Sequence, residues 1–384
     1  MHPRRVLSLG NFFSCLHFYL ILYILSPYLA TLIPAEFAGI VIAAGAVVTL
    51  LVFPFAPRLM RMTGARKAAV ALSFIEAAIL LILAHAPIVP LALALVALAC
   101  AISPLIAYQL DILLEATVAE ESETGRVRTA FITWGSVALI LSPLLMGLIL
   151  DGTERYELVF LAASASLMPF IALFALTPLP EKTMPKLRHM WSTLICIWYD
   201  RNERYTVIAA YILQFFYHAA PFYISLYLHE VVGLPWSTLG WMFALMLLPF
   251  VLIEYPAGMI ADRWLGDKEI MISGFLIMGI AFTAIGLITM QTPILIVLFI
   301  LIATRVGAAL AEATIEGHFF RCVSERDVNT VSVFRMCRPI GALTAPIAGS
   351  FLLFFGSYGL LFFVLGAGIA ALGILVSSKI LDIR

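Results

Sequence analysis

The 384-residue chain carries hydrophobic residues at 63% of its positions and charged residues at only 12%, and its mean hydropathy is +1.05. Soluble domains average about 45–50% apolar and about 25% charged residues, so this composition excludes a water-soluble protein and predicts a polytopic membrane protein. The net charge of +0 gives no reason to expect a nucleic-acid partner. The five cysteines form no CxxC pair or metal-ligand spacing, so neither a disulfide framework nor a metal site is expected.

Runs of about 20 apolar residues, each long enough to cross a ~30 Å hydrocarbon core as a helix, recur along the whole chain. The first run begins at Val6 without a small-residue cleavage site after it, so we expect a retained helix rather than a removed signal peptide. Charged or Pro/Gly-rich breaks separate twelve such spans: 7–31, 35–58, 67–85, 88–113, 127–150, 156–177, 205–229, 236–261, 268–290, 293–319, 328–354 and 357–378. We therefore predict an all-α, polytopic membrane protein with twelve transmembrane helices.

The loops between these spans alternate in charge. With the N-terminus in the cytoplasm, nineteen of the 23 basic residues fall on the cytoplasmic side, three lie within spans, and only Arg155 lies outside. This is the positive-inside pattern of multi-pass membrane proteins. We predict that both termini are cytoplasmic, and we expect the protein in a bacterial inner membrane.

The longest loop, residues 179–204, divides the twelve spans into two groups of six. Four of its apolar residues recur at the spacing of one helix face: Trp191, Leu194, Ile195 and Trp198. Because basic residues surround them, they indicate a short amphipathic helix in the cytoplasmic membrane interface, with an apolar linker as the alternative. We expect an N-terminal six-helix bundle at 1–178, this linker, and a C-terminal six-helix bundle at 205–384.

The two groups of six share sequence patterns. Span five carries Ala138-x-x-x-Ser142-Pro143-x-x-Met146-Gly147, and span eleven carries Gly341-x-x-x-Ala345-Pro346-x-x-Gly349-Ser350. The loop after span two, residues 57–67, loosely repeats the loop after span eight, residues 258–268. Repeated six-helix halves joined by a central cytoplasmic loop are typical of many secondary transporters.

On these features the chain resembles the major facilitator superfamily. Residues 258–268 look like that family's G-x-x-x-D-R-x-G-[RK]-[RK] loop signature with one inserted residue, whereas the copy after span two departs from it at Pro57 and Arg61. The resemblance implies an alternating-access pore between two six-helix bundles, lined by spans one, four, seven and ten. Together with a nearby arginine, the matching loop supplies the residues of an expected cytoplasmic latch: Gly258, Asp262, Arg263, Gly266 and Arg321.

The span-five pattern is similar to a degraded form of the G-x-x-x-G-P-x-x-G-G signature of the family's drug–proton antiporters. Small residues beside a proline also let any two helices pack closely. The pattern therefore indicates either helix packing or an antiporter.

Span ten carries a stripe of ionisable residues, which are costly inside a bilayer and therefore indicate a function. Glu312 and Glu316 lie about 20° to either side of Arg305 around the helix, so the three side chains share one face. Two carboxylates one turn apart repel each other, so one of them tends to keep its proton. An acid that can bind and release a proton in this way is what proton coupling needs. We predict Glu312 as a proton-coupling or substrate-binding residue, and Glu316 as a second coupling acid or as part of the latch with Arg321 and Arg263.

Span seven is rich in aromatic and polar side chains. Gln214 and His218 are neighbours one turn apart, and Tyr211 and Tyr217 flank them. Such side chains suit a cavity for an amphipathic organic solute, although lipid-facing aromatics explain part of the pattern equally well. We predict that Arg305, Gln214, Tyr217 and Tyr211 line the substrate cavity. His218 is a third proton-coupling candidate or simply a hydrogen-bonded histidine.

Several other ionisable residues lie within spans. Glu76 falls midway along span three, which the resemblance makes a peripheral helix, so we expect a structural pair or a protonated acid. Arg335 and Arg338 bind an anionic group of the substrate, pair with Glu254 or Glu316, or extend their charged ends toward the membrane surface.

The sequence contains no HExxH, P-loop or G-x-S-x-G motif, so we expect neither an enzyme nor a bound cofactor nor transport driven by ATP hydrolysis in this chain.

We predict a secondary active transporter of a small organic solute, coupled to protons and working by alternating access, with efflux favoured. A nutrient symporter or a uniporter is the alternative within transport, and a non-transporting receptor or scaffold is the alternative from another class. The expected partners are the solute, protons and the lipid bilayer, with no nucleic acid, and we expect a monomer.

Overall fold

The computed structural model describes residues 3–53, 63–85, 87–117, 121–180, 190–260, 266–323 and 328–381. In these ranges the chain forms sixteen α-helices and one π-helical turn, and it forms no strand. The predicted all-α class is therefore confirmed for the described part of the chain.

Seven of these helices precede the central loop: α1 (Pro3–Leu22), α2 (Leu25–Leu32), α3 (Ala35–Val52), α4 (Ala65–Leu83), α5 (Val89–Thr117), α6 (Glu121–Ile149) and α7 (Tyr156–Leu176). The other nine are α8 (Met190–Tyr199), α9 (Arg201–Leu226), α10 (Trp236–Met246), α11 (Leu248–Ile260), α12 (Asp267–Ile285), α13 (Ile294–Cys322), α14 (Val328–Arg335), α15 (Cys337–Phe355) and α16 (Tyr358–Ser377). The π-helical turn, Tyr227–Val231, continues α9.

Eleven segments of the described chain are long and apolar enough to cross a membrane, which makes this an integral multi-pass membrane protein. They coincide with eleven of the twelve predicted spans. The remaining prediction, span three, corresponds to α4, a 19-residue helix that carries Arg66, Lys67 and Glu76. Three charges in so short a helix lower its apolar character. The total of twelve membrane crossings and the cytoplasmic location of the termini stay predictions.

Some predicted spans are broken into two helices. Span one is interrupted at Tyr23, four residues before Pro27, because a proline has no N–H to donate to the carbonyl group of the preceding turn. Two further breaks also lie shortly before a proline. Leu247 lies two residues before Pro249, and Met336 lies three residues before Pro339.

The helices cluster into two compact units. Unit 1 comprises Met1–Pro185 and Leu234–Ala244, and unit 2 comprises Lys186–Gly233 and Leu245–Arg384. In unit 1, α1 packs against α6 and α7, and α4 packs against α5 and α7. In unit 2, α12 packs against α13 and α16, and α9 packs against α13 and α15. The predicted boundaries at residues 178 and 205 stay predictions.

The span-five pattern forms a close helix contact within unit 1. Ala138, Ser142 and Met146 of α6 are fully buried. A Cβ atom on Gly147 would lie only 2.9 Å from the Cα atom of Gly240 on α10. The small residues of this pattern therefore let two helix backbones touch, which is the packing interpretation of the sequence.

The matching span-eleven pattern also forms a close helix contact, here between α15 and α9 of unit 2. A Cβ atom on Gly341 of α15 would lie 2.9 Å from the backbone of Gln214 on α9. One turn above, the hydroxyl group of Tyr223 donates a hydrogen bond of 2.7 Å to the carbonyl oxygen of Pro346. The repeat thus preserves close helix packing in both units.

The short helix α8 exposes apolar side chains. Ile195, Trp198 and Tyr199 are 56%, 63% and 84% exposed, while Ile197 is buried. The guanidinium group of Arg204 lies 5.7 Å from the Trp198 ring centre. An exposed aromatic face beside a cation is what an interfacial helix presents to a membrane, and this location of α8 stays a prediction.

The contact between Gly147 and Gly240 gives a test of the packing. We expect Gly147→Ala to destabilise the protein by about 1–3 kcal/mol, because the added methyl group meets backbone atoms that cannot rotate away. Thermal unfolding of the purified protein in detergent measures the change.

The matched control is Gly368→Ala in α16, where an added Cβ meets nothing within 4 Å. This control should unfold at the wild-type temperature or slightly above it, since alanine favours a helix over glycine. Equal unfolding temperatures for the two variants would show that the α6–α10 contact is not close.

Candidate functional site

A small polar cavity in unit 2 brings together several of the predicted residues. Its lining comes from α9, α13, α14 and α15: Ala210, Leu213, Gln214, Glu312, Ile315, Glu316, Phe320, Phe334, Arg335, Cys337 and Arg338. Its volume of about 20 Å³ is room for roughly one water molecule. Gln214, Glu312 and Glu316 thus share one cavity with two arginines that the sequence analysis left with open roles.

Glu312 is the central polar residue of this cavity. It is half-buried, and the hydroxyl group of Tyr217 on α9 donates a hydrogen bond of 2.5 Å to its Oε2 atom. Its charged neighbours are Glu316, which repels an ionised carboxylate, and Arg338, which attracts one. One acid is therefore held between groups that favour opposite protonation states.

Arg305 lies apart from this cavity, although it shares a helix with Glu312. Its side chain is only 2% exposed, and its guanidinium carbon stands 5.2 Å from the ring centre of Phe216. The Nε and Nη2 atoms of Arg305 have no hydrogen-bond partner within the described chain. Seven residues of helix separate Arg305 from Glu312, roughly 10 Å along the axis, so a shared face does not bring the two groups into contact.

The other predicted residues of α9 make local hydrogen bonds. The hydroxyl group of Tyr211 donates to Oγ1 of Thr344 on α15 at 3.0 Å. Nδ1 of His218 lies 2.7 Å from the carbonyl oxygen of Gln214, so this nitrogen carries the hydrogen and donates. Arg338 is also an electrostatic neighbour of His218.

The predicted latch is described only in part, because Asp262 and Arg263 lie outside the described residues. Gly258 belongs to the last turn of α11, and Gly266 directly precedes α12 with a φ of 90°. This positive φ favours glycine, which explains the residue at that position of the motif.

Arg321 forms an ion pair with Asp267, the first residue of α12. Asp267 is 3% exposed and also lies 3.0 Å from Nδ1 of His318. The acidic residue next to last in the motif therefore ties α12 to the C-terminal turns of α13. Asp267 and His318 were not among the predicted site residues. The sequence does carry a signal, because His318 and Arg321 are three residues apart on one helix and can therefore share an acidic partner.

In the part of the chain that the structure describes, no group of three or more His, Cys, Asp or Glu residues is arranged to hold a metal ion.

The Asp267 cluster leads to a prediction about the junction of α12 and α13. We expect Asp267→Asn to destabilise this junction by roughly 1–2 kcal/mol, because it removes the buried carboxylate that pairs with the buried His318 and with the partly exposed Arg321. Hydrogen exchange followed by mass spectrometry should then show faster exchange in the first turns of α12 and the last turns of α13. Glu269→Gln, an exposed acid in the same turn, is the control and should leave exchange unchanged. Wild-type exchange in Asp267→Asn would mean that the ion pair does not hold the two helices together.

A comparison with sequence models of protein families finds a match in the C-terminal part of the chain. Residues 233–382 match the sequence model of the Major Facilitator Superfamily. No curated protein sequence matches the chain at a significant level.

Three solved structures resemble the chain along almost its whole length. The nucleoside transporter NupG has a TM-score of 0.77 at 13% identity and covers 99% of both chains. A POT family transporter in complex with a thioalcohol-conjugated peptide has a TM-score of 0.76 at 12% identity, covering 97% of this chain and 95% of that one. A bacterial homologue of the human lysosomal transporter Spinster, in an inward-facing and unoccupied conformation, has a TM-score of 0.73 at 14% identity, covering 99% and 98%. At these identities the likeness shows the fold. The predicted resemblance to the major facilitator superfamily is thus confirmed for residues 233–382 by the family's sequence model, and the chain as a whole has the fold of these transporters.

Proposed function

We propose that this transporter is a secondary active carrier that moves a small organic solute by alternating access and couples that movement to protons. The observation that supports the proposal most directly is the carboxylate of Glu312, which lines a cavity while hydrogen-bonded to Tyr217. We place the carrier as a monomer in a bacterial inner membrane, with both termini in the cytoplasm.

Proton coupling needs an acid that is stable in both of its forms. Tyr217 and Arg338 stabilise the ionised form of Glu312 by hydrogen bonding and by charge. Glu316 stabilises the neutral form by repulsion, and so does any closure that removes water from the cavity. A change in hydration during transport then loads and releases a proton at this group.

The solute is proposed to bind along the face of α9 that holds Gln214, Tyr211 and Tyr217. Gln214 lines the cavity beside Glu312, and the ring of Tyr217 stands 5.9 Å from that of Phe250. Amide, hydroxyl and aromatic groups together suit a solute with an apolar body and a few polar substituents. Arg305 supports a polar or anionic substituent, because two of its nitrogen atoms have no acceptor among the described residues.

The direction that we propose is efflux, based on the similarity of the span-five pattern to the antiporter signature. The contact of Gly147 with Gly240 explains the same pattern by packing alone, which favours the second candidate, a nutrient symporter or uniporter. The similar structures of a nucleoside transporter and of a POT family transporter bound to a conjugated peptide make nucleosides and peptides candidate solutes. A scaffold without transport activity has no evident use for a buried arginine such as Arg305, since an unbalanced buried charge is costly.

A screen for solute-dependent thermal stabilisation is the first experiment. Nucleosides, dipeptides and amphipathic organic cations form the panel, because a solute that binds the folded state raises its unfolding temperature by mass action. The solutes that stabilise the protein then enter transport assays in proteoliposomes, where acidification or alkalinisation on solute addition reports proton movement and its direction.

The sharpest prediction for this function concerns Glu312. We expect Glu312→Gln to abolish solute accumulation driven by an imposed pH gradient, because glutamine mimics a permanently protonated acid. Solute binding and downhill exchange should remain measurable in the same proteoliposomes.

Glu316→Gln is the matched control, since it removes the neighbouring carboxylate of the same helix face. If Glu316 belongs only to an ion-pair latch, this second variant should be the more damaging one while proton coupling persists in Glu312→Gln. Full gradient-driven transport in Glu312→Gln would reject the assignment and move it to His218.

A second prediction concerns the solute-binding face of α9. We expect Gln214→Ala to weaken the apparent affinity for the solute about tenfold, which corresponds to one lost hydrogen bond of about 1.4 kcal/mol. Tyr217→Phe should weaken it as well, because the ring remains but Glu312 loses its donor. The exposed residue Gln291 supplies the control variant Gln291→Ala, which should keep wild-type affinity. Unchanged affinity in both test variants would mean that this face only packs.

A further inference from the structure

A buried acid–base pair lies in unit 1, where α1, α4 and α5 meet. Glu76 is 0% exposed and His17 is 1% exposed. Oε1 of Glu76 lies 3.8 Å from Nε2 of His17 and accepts a hydrogen bond of 3.0 Å from the hydroxyl group of Ser103. Three helices therefore contribute one polar side chain each to a buried site.

The backbone fixes the tautomer of His17. Its Nδ1 atom is hydrogen-bonded to the carbonyl oxygen of Ser14, and a carbonyl oxygen can only accept, so Nδ1 carries a hydrogen. In a neutral imidazole the other nitrogen, Nε2, then presents a lone pair to the carboxyl group of Glu76. Within the described chain, neither Nε2 of His17 nor Oε2 of Glu76 has a hydrogen-bond partner.

These positions are hard to reconcile with an ionised Glu76 beside a neutral His17. Two acceptors would face each other across 3.8 Å, and a buried negative charge would be balanced only by the hydroxyl group of Ser103. One added proton removes both problems. On Glu76 it gives a neutral acid that faces the lone pair of His17, and on His17 it gives a cation beside the carboxylate.

Among the described residues, the helices around the pair place no other cation next to the carboxylate. Cys100 of α5 is an electrostatic neighbour of Glu76. Arg66 and Lys67 stand on α4 itself, roughly 14 Å or more along the axis from Glu76. The titratable residues of α7 are confined to its first turn, at Tyr156 and Glu157.

The remaining helices that pack against α1 and α5 carry their charges far from the pair as well. On α6 the charged residues lie within 121–128, more than a dozen residues from Ser142, the position that contacts α1. Arg4 and Arg5 begin α1, twelve or more residues before His17, and Asp111 lies eight residues beyond Ser103 on α5. A proton is therefore the available positive charge.

We propose that His17 and Glu76 form a proton-binding site of unit 1, in which the two side chains together carry one proton, either on the carboxyl group or on Nε2 of the imidazole. Binding of this proton joins α1 to α4. Its loss leaves an ionised carboxylate against a lone pair and weakens the contact between these helices. The site is separate from Glu312 and does not depend on proton coupling there.

Infrared difference spectroscopy of the full-length protein in liposomes, recorded between about pH 5 and pH 8, tests the site directly. Subtracting the spectrum of Glu76→Gln from that of the wild type isolates the carbonyl stretch of a protonated Glu76. A parallel subtraction with His17→Gln isolates an imidazolium band. We expect one of these two bands at the acidic end, and Glu36→Gln, an acid at the start of α3, should leave both in place. Absence of both bands throughout the range would overturn the proposal.

Hydrogen exchange tests the consequence for helix packing. After correction for the intrinsic pH dependence of exchange, α1 of the wild type should exchange severalfold faster at the alkaline end than at the acidic end. Glu76→Gln should remove this difference, because an amide cannot ionise. His17→Gln gives a second variant in case Glu76→Gln fails to fold, and it should also reduce the difference. An equal pH dependence in the wild type and the folded variants would contradict the proposal. Neither experiment uses a transported solute, so failure here is distinguishable from failure of the Glu312 mechanism.

Discussion

The cost of a charge in an apolar surrounding constrains this molecule more than any other interaction. Only 12% of its residues are charged, and those inside the helices must find a partner within the protein because lipid offers none. Asp267 meets the requirement with Arg321 and His318, which at the same time fixes α12 to α13. Glu312 meets it with a hydroxyl group, an attracting arginine and a repelling acid. The first arrangement stabilises one charge state, whereas the groups around Glu312 act on its protonation in opposite directions.

Close packing is what allows such polar groups to meet. Lipid gives helices no hydrophobic reason to associate, so contact area and backbone proximity have to supply the attraction. Gly147 against Gly240 and Gly341 against Gln214 bring backbones together in unit 1 and unit 2. The second contact also fixes the position of α9, the helix that brings Gln214 to the cavity and Tyr217 to Glu312. Small, uncharged residues thus help to determine where the charged residues stand.

Hydropathy and helical spacing predicted much of the fold and part of the site. Runs of apolar residues located the spans because a helix in lipid must bury every backbone hydrogen bond within itself. The 100° rotation per residue predicted that Glu312 and Glu316 face the same way, and the structure places both at one cavity. The same rotation could not show that Arg305 lies against Phe216, since the contacts of a side chain depend on the neighbouring helix. For the same reason the sequence singled out Glu76 without indicating His17 or Ser103 as its partners.

The repeated halves of the sequence retain the packing residues but not the ionisable ones. Proline and small residues recur in spans five and eleven, whereas the acids differ in place and surroundings. Glu312 stands beside a cavity among charged groups, and Glu76 is enclosed with one histidine and one hydroxyl group. A hydrated acid can exchange its proton with water directly, while an enclosed one must wait for its helices to separate. If both sites bind protons, proton exchange at Glu76 therefore depends on separation of the helices in unit 1, whereas proton exchange at Glu312 depends on access of water to the cavity in unit 2. Binding of the same ion then has a different physical consequence in each unit.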